Sequence, residues 1–263
     1  MQMKNHFLWA VIAIVSFFVN IVIYYLAYIA EDDSSLFTGY TQIMIIVWAA
    51  LCVVAFYMAL KDFGLSTTPG KAWLFLLLGL GCWLVGDVIF AYYQEIVHED
   101  AFPSAADYAF TVGYVFLLIG IVWQLTQTKS QISKKELLIT LIITLVIFVG
   151  ALILVLIPIA SYPIGEDFTV NQMIFSLVYP IGDLILFPCA VLLYFKFRGG
   201  QFAKGWIILS IGFIVAVIFD LAFSYYDWIG VENVFFVLDH FEIGYYMILG
   251  GGALFFRELL RSV

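Results

Sequence analysis

Six carboxylic acids carry the chemistry legible in this chain. Asp87, Asp107, Asp183, Asp220, Asp239 and Glu242 all stand inside long apolar runs, and apart from Lys204 at the edge of one run no Lys or Arg stands in those runs with them. A carboxylate at the centre of a membrane helix costs about 2.5–3.5 kcal/mol even on the lenient insertion scale. Six without a basic partner are therefore expected to face a bundle interior or a wet cavity, with protons or a shared cation offsetting their charge. Such a set favours cations or protons over anions. The spacing supports a common face. Asp239 and Glu242 are i,i+3, with Phe235 and Tyr246 on the same stripe; Asp107, Thr111 and Tyr114 run i,i+4,i+7; Asp220 and Ser224 are i,i+4. The expected ligand set is the six acids with Tyr114 and Tyr245 as hydrogen-bonding neighbours.

Asp183 lies between Pro180 and Pro188 in one apolar run. Each proline removes a backbone hydrogen bond and kinks a helix, so freed carbonyls and a carboxylate would lie close together, as at many ion sites. A kink that serves packing alone is the other reading. His240 is the single histidine within a run. One histidine does not make a zinc site, which takes three or four N or S ligands. A divalent Ca²⁺, Mg²⁺ or Mn²⁺ suits carboxylates better, with Asp183, Asp220, Asp239 and His240 as candidate metal positions; otherwise His240 bonds between helices. No other cofactor is expected. Tyr24, Tyr25, Tyr28, Tyr92, Tyr93, Tyr225, Tyr226 and Trp228 crowd the same end as the acids, either as an interfacial belt or as an aromatic wall suited to an organic cation. There is no phosphate loop, nucleophile elbow, HExxH or cysteine cluster, so no enzymatic activity is expected unless through the carboxylates, for instance with a metal. Cys52, Cys82 and Cys189 sit in apolar runs as packing residues.

The elements that must position these acids follow from composition. Apolar residues make up 65% of the 263 residues and charged residues 11%, against about 45–50% and about 25% in soluble domains. The outer surface therefore faces lipid. Eight stretches reach the roughly 20 apolar residues a spanning helix needs: Phe7–Tyr28, Tyr40–Leu60, Ala72–Tyr93, Ser104–Gln124, Leu137–Ile159, Gln172–Phe195, Phe202–Tyr226 and Val234–Phe256. The first is too long for a signal-peptide core of about 7–15 residues. Assigning loops alternately places all 11 basic residues on one side: Lys4, Lys61, Lys71, Lys129, Lys134, Lys135, Lys196, Arg198, Lys204, Arg257 and Arg261. The other side takes Glu31, Asp32, Asp33, Glu95, Glu99, Asp100, Glu166, Asp167, Asp227 and Glu232. The positive-inside rule then puts both termini in the cytoplasm and all six intramembrane acids between the midplane and the outer surface. The few loop-bound basic residues leave no footprint for nucleic acid.

The chain reads as a single membrane domain, 1–263, built from a parallel repeat, 1–132 and 133–263. Asp87-Val-Ile-Phe-Ala-Tyr-Tyr93 matches Asp220-Leu-Ala-Phe-Ser-Tyr-Tyr226 at an offset of 133, and Gly113, Tyr114 and Gly120 match Gly244, Tyr245 and Gly251 at an offset of 131. The paired glycines fit close helix packing. Pro103-Ser-Ala-Ala-Asp107-Tyr with Gly113-Tyr114, and Tyr179-Pro-Ile-Gly-Asp183-Leu, resemble motifs of the multi-helix membrane region that precedes some bacterial diguanylate cyclase domains, and of related stand-alone prokaryotic membrane proteins. The resemblance covers most of the chain from about Trp73 and implies a sensory input without a defined ligand. No cyclase or kinase domain follows Val263, so signalling is expected to need a separate cytoplasmic partner or membrane subunit. The expected function is a membrane-embedded binding or sensory module whose outward-facing acidic cavity takes a cation, proton or small cationic ligand. The alternatives are a cation- or proton-coupled secondary transporter and a structural membrane subunit.

Overall fold

Long apolar runs can cross lipid only if every backbone polar group is satisfied internally, and helices achieve that within one segment. The computed structural model describes residues 5–29, 35–99, 102–127, 130–165, 168–197, 203–231 and 234–262; these are helical with short connections, and no strand occurs among them. Lys4, Lys129, Arg198, Glu31, Asp32, Asp33, Asp100, Glu166, Asp167 and Glu232, used above for orientation, lie outside the described residues, as do the side chains of Tyr28 and Phe235.

Eight long helices follow in order. They are α1 (Asn5–Ile29), α2 (Ser35–Phe63), α3 (Thr68–Tyr92), α4 (Ala105–Gln127), α5 (Lys134–Ser161), α6 (Val170–Phe197), α7 (Ala203–Trp228) and α8 (Phe235–Arg261). The first seven are long and apolar enough to span a membrane. α8 is the eighth long helix, 27 residues, and carries Asp239 and Glu242 near its start. The chain thus has the character of a multi-pass helical membrane protein.

The helix ends differ from the hydropathy boundaries for local reasons. α5 begins at Lys134, three residues before the apolar run, because Ser133 and Glu136 form a reciprocal capping box that satisfies two backbone donors. Its interior contains a π turn, Leu152–Leu156, immediately before Pro158. The proline lacks the N–H that an unbroken α-ladder requires, and the wider turn absorbs the defect. α3 starts on Thr67, whose hydroxyl caps Gly70 N–H at 3.0 Å, and runs on past Tyr92 as a second π turn to Val97. α6 is assigned as continuous helix through Pro180 and Pro188. Neither proline interrupts the helix around Asp183.

Six helices form a closed ring in the order α2, α3, α4, α6, α7, α8, and back to α2. α1 lies outside against α8, and α5 lies outside against α6. Burial agrees with that placement: only 6% of the α1 window and 17% of the α5 window is buried, against 33–44% for the other spans. The outer faces are Leu, Ile, Val and Phe, as lipid requires.

The ring interior is filled differently at its two ends. At the end carrying Lys61, Lys71, Lys196 and Lys204, Trp73 of α3 meets Trp206 of α7 across the ring, with centroids 6.0 Å apart. Phe56, Phe63, Phe197 and Phe256 pack on these two indoles at 4.9–5.2 Å. Asp62 outside this plug takes hydrogen bonds from Arg257 and Arg261, and His6 pairs with Glu258 at 2.6 Å. The opposite half of the ring holds the acids.

Candidate functional site

The centre of the site is a hydroxyl between two carboxyls. Tyr114 of α4 donates its Oη hydrogen to Asp183 Oδ1 of α6 at 2.7 Å and lies 2.8 Å from Asp220 Oδ2 of α7. The Asp183 and Asp220 carboxyls are also within hydrogen-bonding reach of each other. Asp183 is fully buried, and its second oxygen, Oδ2, has no donor. Tyr114 can come this close because residue 182 is glycine: a Cβ there would stand 3.0 Å from the tyrosine ring.

A second limb enters from α8. Tyr246, wholly buried, donates to Asp87 Oδ2 of α3 at 2.8 Å. Tyr245 hydrogen-bonds to Tyr246 on one side and to Glu242 on the other. Glu242 and Asp239 are half-buried and close enough to feel each other's charge; Glu242 also feels Asp87 and Asp220. Asp87 in turn faces Asp220 electrostatically, without a direct hydrogen bond between them. A third limb is formed by Asp107 at the start of α4. It accepts from Ser104 N–H and from Tyr179 Oη of α6, both at 2.5 Å. Ser104 Oγ accepts from Ala106 N–H at 3.1 Å, so Asp107 is a helix-cap carboxylate as well as an interhelical one.

The six acids are therefore one constellation drawn from α3, α4, α6, α7 and α8, and they are not scattered. Tyr114 and Tyr245 both lie within it. Tyr179 and Tyr246 are two further members that the pattern of acids alone does not single out. Tyr246 stands on the Asp239–Glu242 stripe, and Tyr179 opens the Tyr-Pro-x-x-Asp motif one turn before Asp183, so both signals exist in the sequence without assigning a partner. Of the candidate metal positions, Asp183 and Asp220 approach each other, and Asp239 and His240 stand on α8. His240 packs edge-on against Phe17 and Tyr24 of α1 with centroids 6.0 and 6.1 Å away, on the face of α8 that meets α1. Among the described residues, no three His, Cys, Asp or Glu side chains are placed to hold a metal ion.

What this arrangement can do follows from donor arithmetic. Tyrosine offers one hydrogen and can also accept, whereas an ionised carboxylate only accepts. Asp87 and Asp107 each have a tyrosine hydroxyl aimed at one oxygen. Asp183 and Asp220 share one hydroxyl hydrogen between them, in surroundings where an unmet acceptor is expensive. That pair is short of positive charge or of hydrogen, and it can take up either. Comparisons with protein-family models, curated proteins and solved structures found no match to this chain.

Proposed function

We propose that this chain is a membrane-embedded binding or sensory module whose acid–tyrosine site takes a cation, a proton or a small cationic ligand from the outer side. The observation that carries the reading is the single Tyr114 hydroxyl between the Asp183 and Asp220 carboxyls, with Lys and Arg confined to the ends of the helices away from them. The distribution of Lys and Arg supports an orientation with both termini in the cytoplasm, which turns the acid half of the ring outward. The resemblance of Pro103–Tyr108 and Tyr179–Leu184 to prokaryotic sensory membrane regions supports a sensor that passes its state to a separate cytoplasmic partner.

A parallel duplication of 1–132 and 133–263 is part of this reading. Asp87 and Asp220, 133 positions apart, bond to Tyr246 and Tyr114, which are 132 positions apart. Gly79 meets Leu117, and Gly212 meets Leu249; Gly120 meets Leu76, and Gly252 meets Leu209. These contacts favour an offset of 132 between α4 and α8 over the 131 suggested by Gly113 and Gly244.

The Trp73–Trp206 plug weighs against a secondary transporter, because it fills the ring on the basic side, where a through-path would have to emerge. One observation favours a structural subunit: Asp87 and Asp107 are each tied to a tyrosine, as interhelical struts would be. Thermal melting of the purified chain in detergent separates these readings. The proposed module predicts that pH, Na⁺, Mg²⁺ or a quaternary ammonium ion shifts Tm, and that Asp183→Asn with Asp220→Asn abolishes the shift. Unchanged melting of the unsubstituted chain under every condition would leave the structural reading in its place.

A further inference from the structure

Resting on that reading, we infer that the ligand is a proton, held between Asp183, Tyr114 and Asp220 and exchanged with the outside through Glu242, Tyr245, Tyr246 and Asp87. Three oxygen-bearing groups meet there in three mutual contacts, and the tyrosine contributes one hydrogen to them. If Tyr114 donates to Asp183, its oxygen can accept only from a protonated Asp220. Asp183 Oδ2, fully buried and without a donor, is the remaining unmet acceptor of the pair. One added hydrogen on the carboxyl pair thus satisfies contacts that are otherwise repulsive. A divalent ion takes about six or more oxygens, whereas among the described residues no three His, Cys, Asp or Glu side chains converge.

Every element packed around Asp183 enters this argument. From α4 come Tyr114 and, through Tyr179, Asp107; from α7 comes Asp220; beyond them lie Asp87 on α3 and Tyr245, Tyr246 and Glu242 on α8. None is basic. The route inward is a row of groups that both donate and accept. Glu242, half-buried, bonds Tyr245; Tyr245 bonds Tyr246; Tyr246 bonds Asp87 at 2.8 Å. Asp87 and Asp220 interact through charge without a direct hydrogen bond, so the step between them requires a bridging water. Each transfer moves one proton along a hydrogen bond and returns the next oxygen to its starting form, so nothing else is consumed.

Infrared spectroscopy of the full chain in lipid nanodiscs, with carbon-13 in aspartate, reads this directly. A protonated-carboxyl band that shifts with the label is expected at neutral pH and should be lost on titration to alkaline pH. Asp183→Asn and Asp220→Asn should each remove it, whereas Tyr246→Phe should keep the band and slow its shift after transfer to deuterium oxide by about two orders of magnitude, the lower end of what a positioned proton-transfer group contributes. Absence of the band from the unsubstituted chain, or its persistence in both asparagine variants, overturns the inference without needing any variant to behave ideally. If the band is absent but Na⁺, Mg²⁺ or tetraethylammonium still raises Tm, the proton assignment falls and the cation-binding module stands. With neither band nor melting response, both fall. Unslowed exchange in Tyr246→Phe overturns the route.

Discussion

At the scale of single residues, the site uses tyrosine hydroxyls in two ways. Tyr114 is shared between two carboxyls, whereas Tyr246 brings its hydrogen to Asp87 alone. The difference decides what each substitution does. Tyr246→Phe leaves Asp87, 3% exposed, without its tyrosine donor, and stranding a buried acceptor costs about 1–3 kcal/mol. A loss of stability of that size, read as a lowered Tm, is expected, and the double variant Tyr246→Phe with Asp87→Leu should cost much less than the sum of the two single changes, since the carboxylate that needed a donor is then absent. Additive losses would mean that the pair is not coupled. Gly182 matters for Tyr114 in the same local sense: the ring fits against the α6 backbone because no side chain intervenes.

At the scale of elements, glycine sets how closely the ring helices approach. A Cβ on Gly79 would stand 2.6 Å from Leu117 Cγ and 3.0 Å from the Gly113 carbonyl oxygen, so α3 and α4 are packed backbone to backbone there. Gly81, two residues on, has nothing within 4 Å of the same atom. Gly79→Ala is therefore expected to lower stability by about 1–3 kcal/mol through overpacking, whereas Gly81→Ala should be neutral or gain up to about 1 kcal/mol from helix propensity; melting of the two variants side by side tests the contrast. The spans themselves were legible because apolar length is a property of single stretches, and Asp183, Asp220 and Tyr114 were legible as candidates because a carboxylate in such a stretch is costly wherever it points. The partners were not legible. Tyr245 meets Glu242 within α8, but that Tyr246 reaches Asp87 depends on the rotation of α8 against α3. The α5 π turn was equally hidden, since Pro158 announces a defect without saying how the backbone absorbs it. His240 follows Asp239 in sequence, while the helix turns it by about 100° from Asp239 toward Phe17 and Tyr24 of α1, a placement that its acidic sequence neighbours do not announce.

At the scale of the whole molecule, the tyrosine hydrogen bonds to Asp87, Asp107, Asp183 and Asp220 cross between the two halves of the chain. Asp87 of the first half is served by Tyr246 of the second; Asp220 and Asp183 of the second are served by Tyr114 of the first. The ring also closes only across the halves, through α2 against α8 and α4 against α6. Residues 1–132 alone would present Asp87 on an open face without its tyrosine, and residues 133–263 alone would present Asp183 and Asp220 without theirs. In lipid such a face has no water to turn to. Expressed separately, each half is therefore expected to be degraded or to aggregate, whereas the two co-expressed as separate chains should assemble and copurify through a tag on either one. Tyr114→Phe in one half together with Tyr246→Phe in the other should weaken that copurification more than either alone, because each removes a different cross-half bond. A half that accumulates by itself as a stable monomer would show that the acids are satisfied within it, and the interlocked arrangement would then not be what holds the ring closed.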